Sequence, residues 1–229
     1  MCGRFAVLAK KEELARRFKV TEPEPSQPSL YPAGPRFNIA PSQSVAVVRA
    51  ADGARFLSLL HWGLIPSWAS DQKIGYKLTN ARSETVAEKP SFRSAFKQRR
   101  CLIPASGFYE WQKRGSSKQP FFIRPRDGDD LFAFAGLWEK WTDPLGKVVE
   151  SCTILTTEAN ELMRPIHDRM PVILDSAAES TWLDPGSSAD ALRSLFVPSA
   201  SERMQAYAVS SWVSNARHQG EQCIEPAKV

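Results

Sequence analysis

The sequence predicts an α+β fold: a single domain with an antiparallel β-barrel-like core and short peripheral helices. Three observations lead there. Short strand-like runs separated by Gly- and Asp-rich turns dominate the chain. Helical periodicity is confined to brief stretches. Neither an internal repeat nor a separating linker interrupts the 229 residues.

The elements follow in order. Leu14, Ala15 and Phe18 fall on one face of a helix over Lys11–Lys19, with Glu12 and Glu13 near its start. Thr21–Pro35 holds Pro23, Pro25, Pro28, Pro32 and Pro35, so it reads as a long surface loop, neither helix nor central strand. Ser44–Arg49 and Phe56–Trp62 read as strands, the second feeding a turn at Gly63–Pro66. Further strands are expected at Cys101–Pro104, Gly107–Gln112, Pro120–Arg124, Leu131–Trp138, Ser151–Thr156 and Tyr207–Ser210, with a turn at Arg126–Asp129. Short helices fit Ser91–Gln98, Ala159–Met163, Ala177–Trp182 and Asp190–Phe196. The final residues 227–229 read as a frayed tail.

A content of 42% hydrophobic and 24% charged residues is that of a soluble globular protein. No apolar run reaches the ~18 residues a membrane helix needs, and the N-terminus lacks the pattern of a secretory signal. Cys2, Cys101, Cys152 and Cys223 are scattered, which suits a reducing cytoplasm. They and His61, His167 and His218 show no metal-ligand spacing, so neither zinc nor another cofactor is expected. Thirty basic against 25 acidic residues leave a net +5, compatible with an anionic partner or a merely solvated basic surface.

Cys2 is the most pointed chemical feature. Removal of Met1 would place an α-amine and a thiol on adjacent carbons, with ordinary pKa values of about 7.7–8.0 and 8.5. Such a pair traps an aldehyde: the amine forms a Schiff base and the sulfur closes it to a five-membered ring. Four further segments could serve such chemistry. Trp62–Trp68 places two tryptophans around a Gly/Pro turn; Trp62 reads as core, and Trp68 as loop packing or a stacking platform for a base. In Leu78–Glu84, an extended chain puts Asn80, Arg82 and Glu84 on one face, either a solvated edge or a pocket wall with a phosphate-suited guanidinium. In Gly107–Trp111, Glu110 sits among aromatics, where burial would raise its pKa into the useful range; a buried pair with an arginine is the structural alternative. In Arg164–Pro171, two prolines stiffen a loop around His167, Asp168 and Arg169, so His167 is either a proton donor or a satisfied loop histidine.

Together these segments resemble the SRAP (SOS-response-associated peptidase) family of abasic-site processing proteins. The resemblance rests on Met1–Phe5, Phe37–Pro41, Trp62–Gly63, Asn80–Glu84, Gly107–Trp111, Ile166–Pro171 and the segment from Val209 to Pro226, all in the family's order. It implies one SRAP domain over residues 2–226. It also implies that Cys2 forms a thiazolidine crosslink with the ring-opened sugar of an abasic site in single-stranded DNA, shielding the lesion. Cys2, Asn80, Glu110 and His167 match the family's catalytic positions, and Arg4, Pro41, Trp68, Arg82 and Arg169 its DNA contacts. Reversal, weak lyase activity, and loss of Met1 by self-processing or an aminopeptidase are compatible with the same groups. A monomer in a bacterial cytoplasm is expected, with no metal and no membrane. The rival readings are a cysteine peptidase with Cys2 as nucleophile, an N-terminal-nucleophile amidotransferase, against which the lack of an Asn-Gly dipeptide counts, and a non-catalytic DNA-binding module.

Overall fold

The computed structural model describes residues 2–23, 34–126 and 131–227. Along the chain lie β1 (Phe5–Val7), α1 (Lys11–Arg17), β2 (Glu22–Pro23), β3 (Arg36–Ile39), β4 (Ser44–Ala51), β5 (Ala54–Trp62) and β6 (Asn80–Arg82). There follow α2 (Arg93–Gln98), β7 (Arg100–Ala105), β8 (Gly107–Arg114), β9 (Ser117–Pro125), β10 (Phe132–Thr142) and β11 (Val148–Glu158). The last elements are β12 (Arg169–Pro171), β13 (Ile173–Leu174), α3 (Ser176–Leu183), α4 (Ala189–Arg193) and β14 (Met204–Ala208).

Strands β5, β4, β7, β10 and β11 pair in that order, and β11 pairs back to β5, closing a five-stranded barrel. The closing seam is parallel, Ser151 opposite His61 and Cys152 opposite Trp62, while the other four pairings are antiparallel. A second antiparallel sheet has the order β14-β9-β8-β1-β3. The two sheets meet through Phe5, which packs edge-on against Trp62 (5.1 Å) and Phe134 (5.7 Å), and through Phe108, 6.0 Å from Phe134. Phe5, Trp62, Phe108 and Phe134 are all fully buried, and such edge-to-face rings add stabilisation beyond their area.

Helices are short and peripheral because their caps and single apolar faces hold them. In α1 the Glu13 carboxylate accepts the Lys10 N–H at 2.7 Å, and Leu14 and Phe18 are buried. Asp175 and Ser188 cap α3 and α4 by accepting N–H groups of the first turn. Arg100 ends two helices at once: its guanidinium donates to the carbonyls of Phe96 and Lys97 at the end of α2, and to those of Trp182 and Asp184 at the end of α3.

Most expected elements are present, with shifted ends. The expected helix at Ala159–Met163 is instead a series of turns. The Asn160 side chain accepts the Met163 N–H at 2.9 Å, competing with the helical ladder, and Pro165 stops any continuation. The late strand begins at Met204 and ends at Ala208. In the proline-rich stretch, Glu22–Pro23 pairs with the barrel edge at Phe56–Leu57, a place that tolerates proline; positions 24–33 of that loop, and Asp127–Asp129 of the expected turn, lie outside the described residues. All four cysteines are free and buried. Among the described residues no helix is long and apolar enough to cross a membrane.

Candidate functional site

The site forms where the N-terminal strand of the second sheet meets the open end of β11. Strand β1 runs antiparallel to β8, with Phe5 opposite Phe108 and the Tyr109 N–H donating to the Arg4 carbonyl at 2.9 Å. Continuing that register brings Cys2 and Gly3 alongside Glu110. On the barrel side, the end of β11 is flanked by β6 on one edge and β12 on the other. These two short strands carry Asn80 and the His167–Arg169 segment to the same end of the barrel.

Core packing sets Asn80. Trp62, read from the sequence as core, is buried and donates its indole N–H to the Thr79 carbonyl at 2.9 Å. Asn80 Nδ2 then donates to the Cys2 carbonyl (3.0 Å) and to Thr79 Oγ1 (3.2 Å). Its Oδ1 is buried and receives no hydrogen bond among the described residues. Such an acceptor is costly unless a ligand supplies a donor.

Cys2 is wholly buried. Burial, reinforced by the Glu110 charge, pushes its thiol well above the usual range. Glu110 is 3% exposed, and burial lifts its carboxyl from 4.5 to about 7 against the opposing charge of the N-terminal ammonium. That same N-terminal charge is felt at Cys2 and His167. His167 is held below its usual pKa, first by burial and then by that charge. Its Nδ1 accepts the Arg169 backbone N–H at 3.0 Å and lies 2.8 Å from Asp168 Oδ1. The Arg169 contact suits a bare Nδ1 and the Asp168 contact a protonated one, so the two compete for the same ring nitrogen. Cys2, Glu110 and His167 thus share one electrostatic neighbourhood, which Asn80 joins through the Cys2 carbonyl.

The profile of the family described as SOS response associated peptidase (SRAP) matches residues 1–216. The chain belongs to the SRAP family. The abasic site processing protein YoqW of Bacillus subtilis (strain 168) is 44% identical over 98% of this chain and 99% of its own length. The abasic site processing protein HMCES of Xenopus tropicalis is 36% identical over 83% of this chain and 65% of its own length. A crystal structure of a protein from Bacteroides thetaiotaomicron superposes with a TM-score of 0.87 at 28% identity, covering 99% of this chain and 100% of that one. The SRAP fold is therefore the frame in which the remaining candidates sit.

Those candidates divide by exposure. Trp68 stands out at 59% exposed on the SRAP loop after β5, which is anchored where Trp141 donates to the Ala69 carbonyl at 2.7 Å. Gly63 at the root of that loop has φ +137°, and a Cβ there would meet the Gly75 carbonyl oxygen at 2.7 Å, so the loop requires glycine. Arg82 is exposed and Pro41 half-buried beside β3. Arg4 and Arg169 are built into the structure. Arg4 donates to Asn38 Oδ1 (2.7 Å) and the Val213 carbonyl (2.8 Å) and lies over Trp111. Arg169 grips the Glu84 carboxylate with both terminal nitrogens and donates to the Thr156 carbonyl at 2.6 Å. Burial alternates along the expected face, Ala81 and Ser83 inward and Arg82 and Glu84 outward, although strand geometry ends at Arg82.

One contributor escaped the sequence reading. Gln112 donates to the Pro165 carbonyl at 2.9 Å, tying the His167 loop to the strand that carries Glu110. Its signal was the two-residue spacing from Glu110, which puts both on one face.

Proposed function

We propose that this SRAP protein captures abasic sites in single-stranded DNA by a covalent thiazolidine at Cys2. The observation that carries the proposal is the buried Glu110, its carboxyl lifted to about 7, beside a Cys2 whose carbonyl is held by Asn80. At neutral pH such a carboxyl both gives and takes a proton. The relatives are named abasic site processing proteins, and an abasic deoxyribose in its open form is an aldehyde, the electrophile this amine–thiol pair suits.

The reaction begins once Met1 has left, by an aminopeptidase or by self-processing. His167 passes a proton to the ring oxygen as the sugar opens and takes one back from the C1′ hydroxyl, which becomes the aldehyde. The Cys2 amine adds to C1′, and one of its protons moves to the new alkoxide, giving a carbinolamine. Protonated Glu110 donates to the carbinolamine hydroxyl, which departs as water and leaves an iminium. The Glu110 carboxylate then takes the thiol proton as sulfur bonds to carbon. The ring closes, Glu110 is again protonated, and the net change is the loss of one water. Asn80 Oδ1 is placed to accept from the amine or a sugar hydroxyl. The same groups run the reversal, and an iminium that escapes closure permits β-elimination, a weak lyase activity. DNA contacts fall to Arg82, Trp68 and Pro41 at the surface, with Arg4 and Arg169 acting from their internal partners.

A peptidase reading asks for a thiolate at rest. Burial and the Glu110 charge both oppose ionisation of Cys2, whereas ring closure needs only a thiol that gives up its proton as it attacks.

Intact-mass analysis with a single-stranded oligonucleotide bearing one abasic site tests the proposal. The expected product is protein without Met1 plus oligonucleotide minus one water. The Cys2→Ala variant should form no heat-stable adduct; an adduct of equal yield from that variant sinks the scheme.

A further inference from the structure

The face of β8 that carries Glu110 continues outward. In a strand alternate residues share a face, so Glu110, Gln112 and Arg114 lie in one row. Two contacts hold the last of them in place. Arg114 Nε donates to Gln112 Oε1 at 2.8 Å, and its guanidinium lies 5.9 Å from the centre of the Phe121 ring. Phe121 is the residue directly opposite Glu110 on β9. The guanidinium is therefore folded back along the row in the direction of Glu110. The same Gln112 amide ties down the His167 loop through the Pro165 carbonyl. The two terminal nitrogens of Arg114 hydrogen-bond nothing among the described residues.

The hairpin around it is built for an anion. Residues Gln112 to Gln119 contain Lys113, Arg114 and Lys118 and no carboxylate. Lys113 and Lys118 sit directly opposite each other on the exposed hairpin end. Both face the other side of the hairpin from Arg114, so what they add to an anion beside Arg114 is long-range field and not contact.

We infer that Arg114 is a phosphate-binding residue of the β8–β9 hairpin, gripping the DNA backbone within a few nucleotides of the lesion, with Lys113 and Lys118 adding to the field. The inference rests on the abasic-site reading for the direction of the strand, but its test does not need a lesion. Binding of an undamaged single-stranded oligonucleotide is followed by fluorescence anisotropy over a range of salt. Arg114→Ala should lose about three- to tenfold in affinity at low salt, and the slope of log K against log salt should become shallower by about 0.7, the share of one phosphate contact on a single strand. Arg114→Lys keeps the charge and should keep the wild-type slope. An Ala variant with wild-type affinity and slope overturns the inference, as does a Lys variant whose slope falls as far as the Ala variant's. Wild-type protein that behaves as expected here yet forms no adduct with abasic DNA would retain the Arg114 contact and overturn the crosslinking function instead.

Discussion

Burial lifts the Glu110 carboxyl from 4.5 to about 7, and that shift is a statement about stability as well as reactivity. The unfolded chain releases this proton at lower pH than the folded one, so the native state is undisturbed at pH 4 and loses stability as pH rises toward and through 7. The full loss is about 3 kcal/mol. Glu110→Gln should abolish most of that slope between pH 5 and 8 in urea unfolding, while slowing crosslinking by about 10²- to 10⁴-fold; a variant with the wild-type pH slope would count against the buried carboxyl. At His167 the nearby Asp168 carboxylate raises the imidazole pKa against the dominant lowering by burial. Asp168→Asn should therefore make His167 titrate at lower pH by NMR, and an unchanged or higher midpoint would remove Asp168 as its partner. Both residues were legible in the sequence as types in a setting: a lone carboxylate among rings, an imidazole between prolines. The hydrogen bond from Asn80 to the Cys2 carbonyl was not legible, because residues 78 apart meet only through the fold.

At the scale of elements, Arg100 joins two helices that share no sequence neighbourhood. Replacing it with methionine keeps the stem but strips donors from the carbonyls of Phe96, Lys97, Trp182 and Asp184. A loss of about 2–4 kcal/mol in chemical denaturation is expected, and a loss below half a kcal/mol would show that water replaces the guanidinium. The long strands β4, β5, β8, β10 and β11 were readable because their apolar patterns stand between turn residues. The short strands around the candidate site were not. β1, β3, β6 and β12 are three or four residues each, too short for any period, and exist only because a remote partner pairs with them. The stretch after Ala159 looked helical by composition, and the Asn160 side chain decided otherwise.

In the whole molecule, two closures matter. The barrel closes on itself through the parallel β5–β11 seam, a pairing that no local pattern announces. The C-terminal segment closes over the N-terminal sheet at Asn38, whose buried amide donates to the carbonyls of Val213, Asn215 and His218. Asn38→Ala leaves those three carbonyls and Arg4 short of a partner. Limited proteolysis should then cut within residues 209–227 well before the barrel is attacked; cleavage there at the wild-type rate would show the segment is held by other means. The α+β class and the barrel-like core were readable from the alternation of short strands and turns, whereas this clamp joins segments some 175 to 180 residues apart.

Cys2 lies entirely below the surface. On the abasic-site reading, that depth favours a slim target. A captured sugar has to come down to residue 2, and a nucleotide that has lost its base brings less bulk to that depth than an intact one. The lesion is then recognised by what it lacks, with no side chain assigned to sense the missing base. The same depth keeps a reactive thiol out of reach of stray oxidants and bulky electrophiles until the right guest arrives.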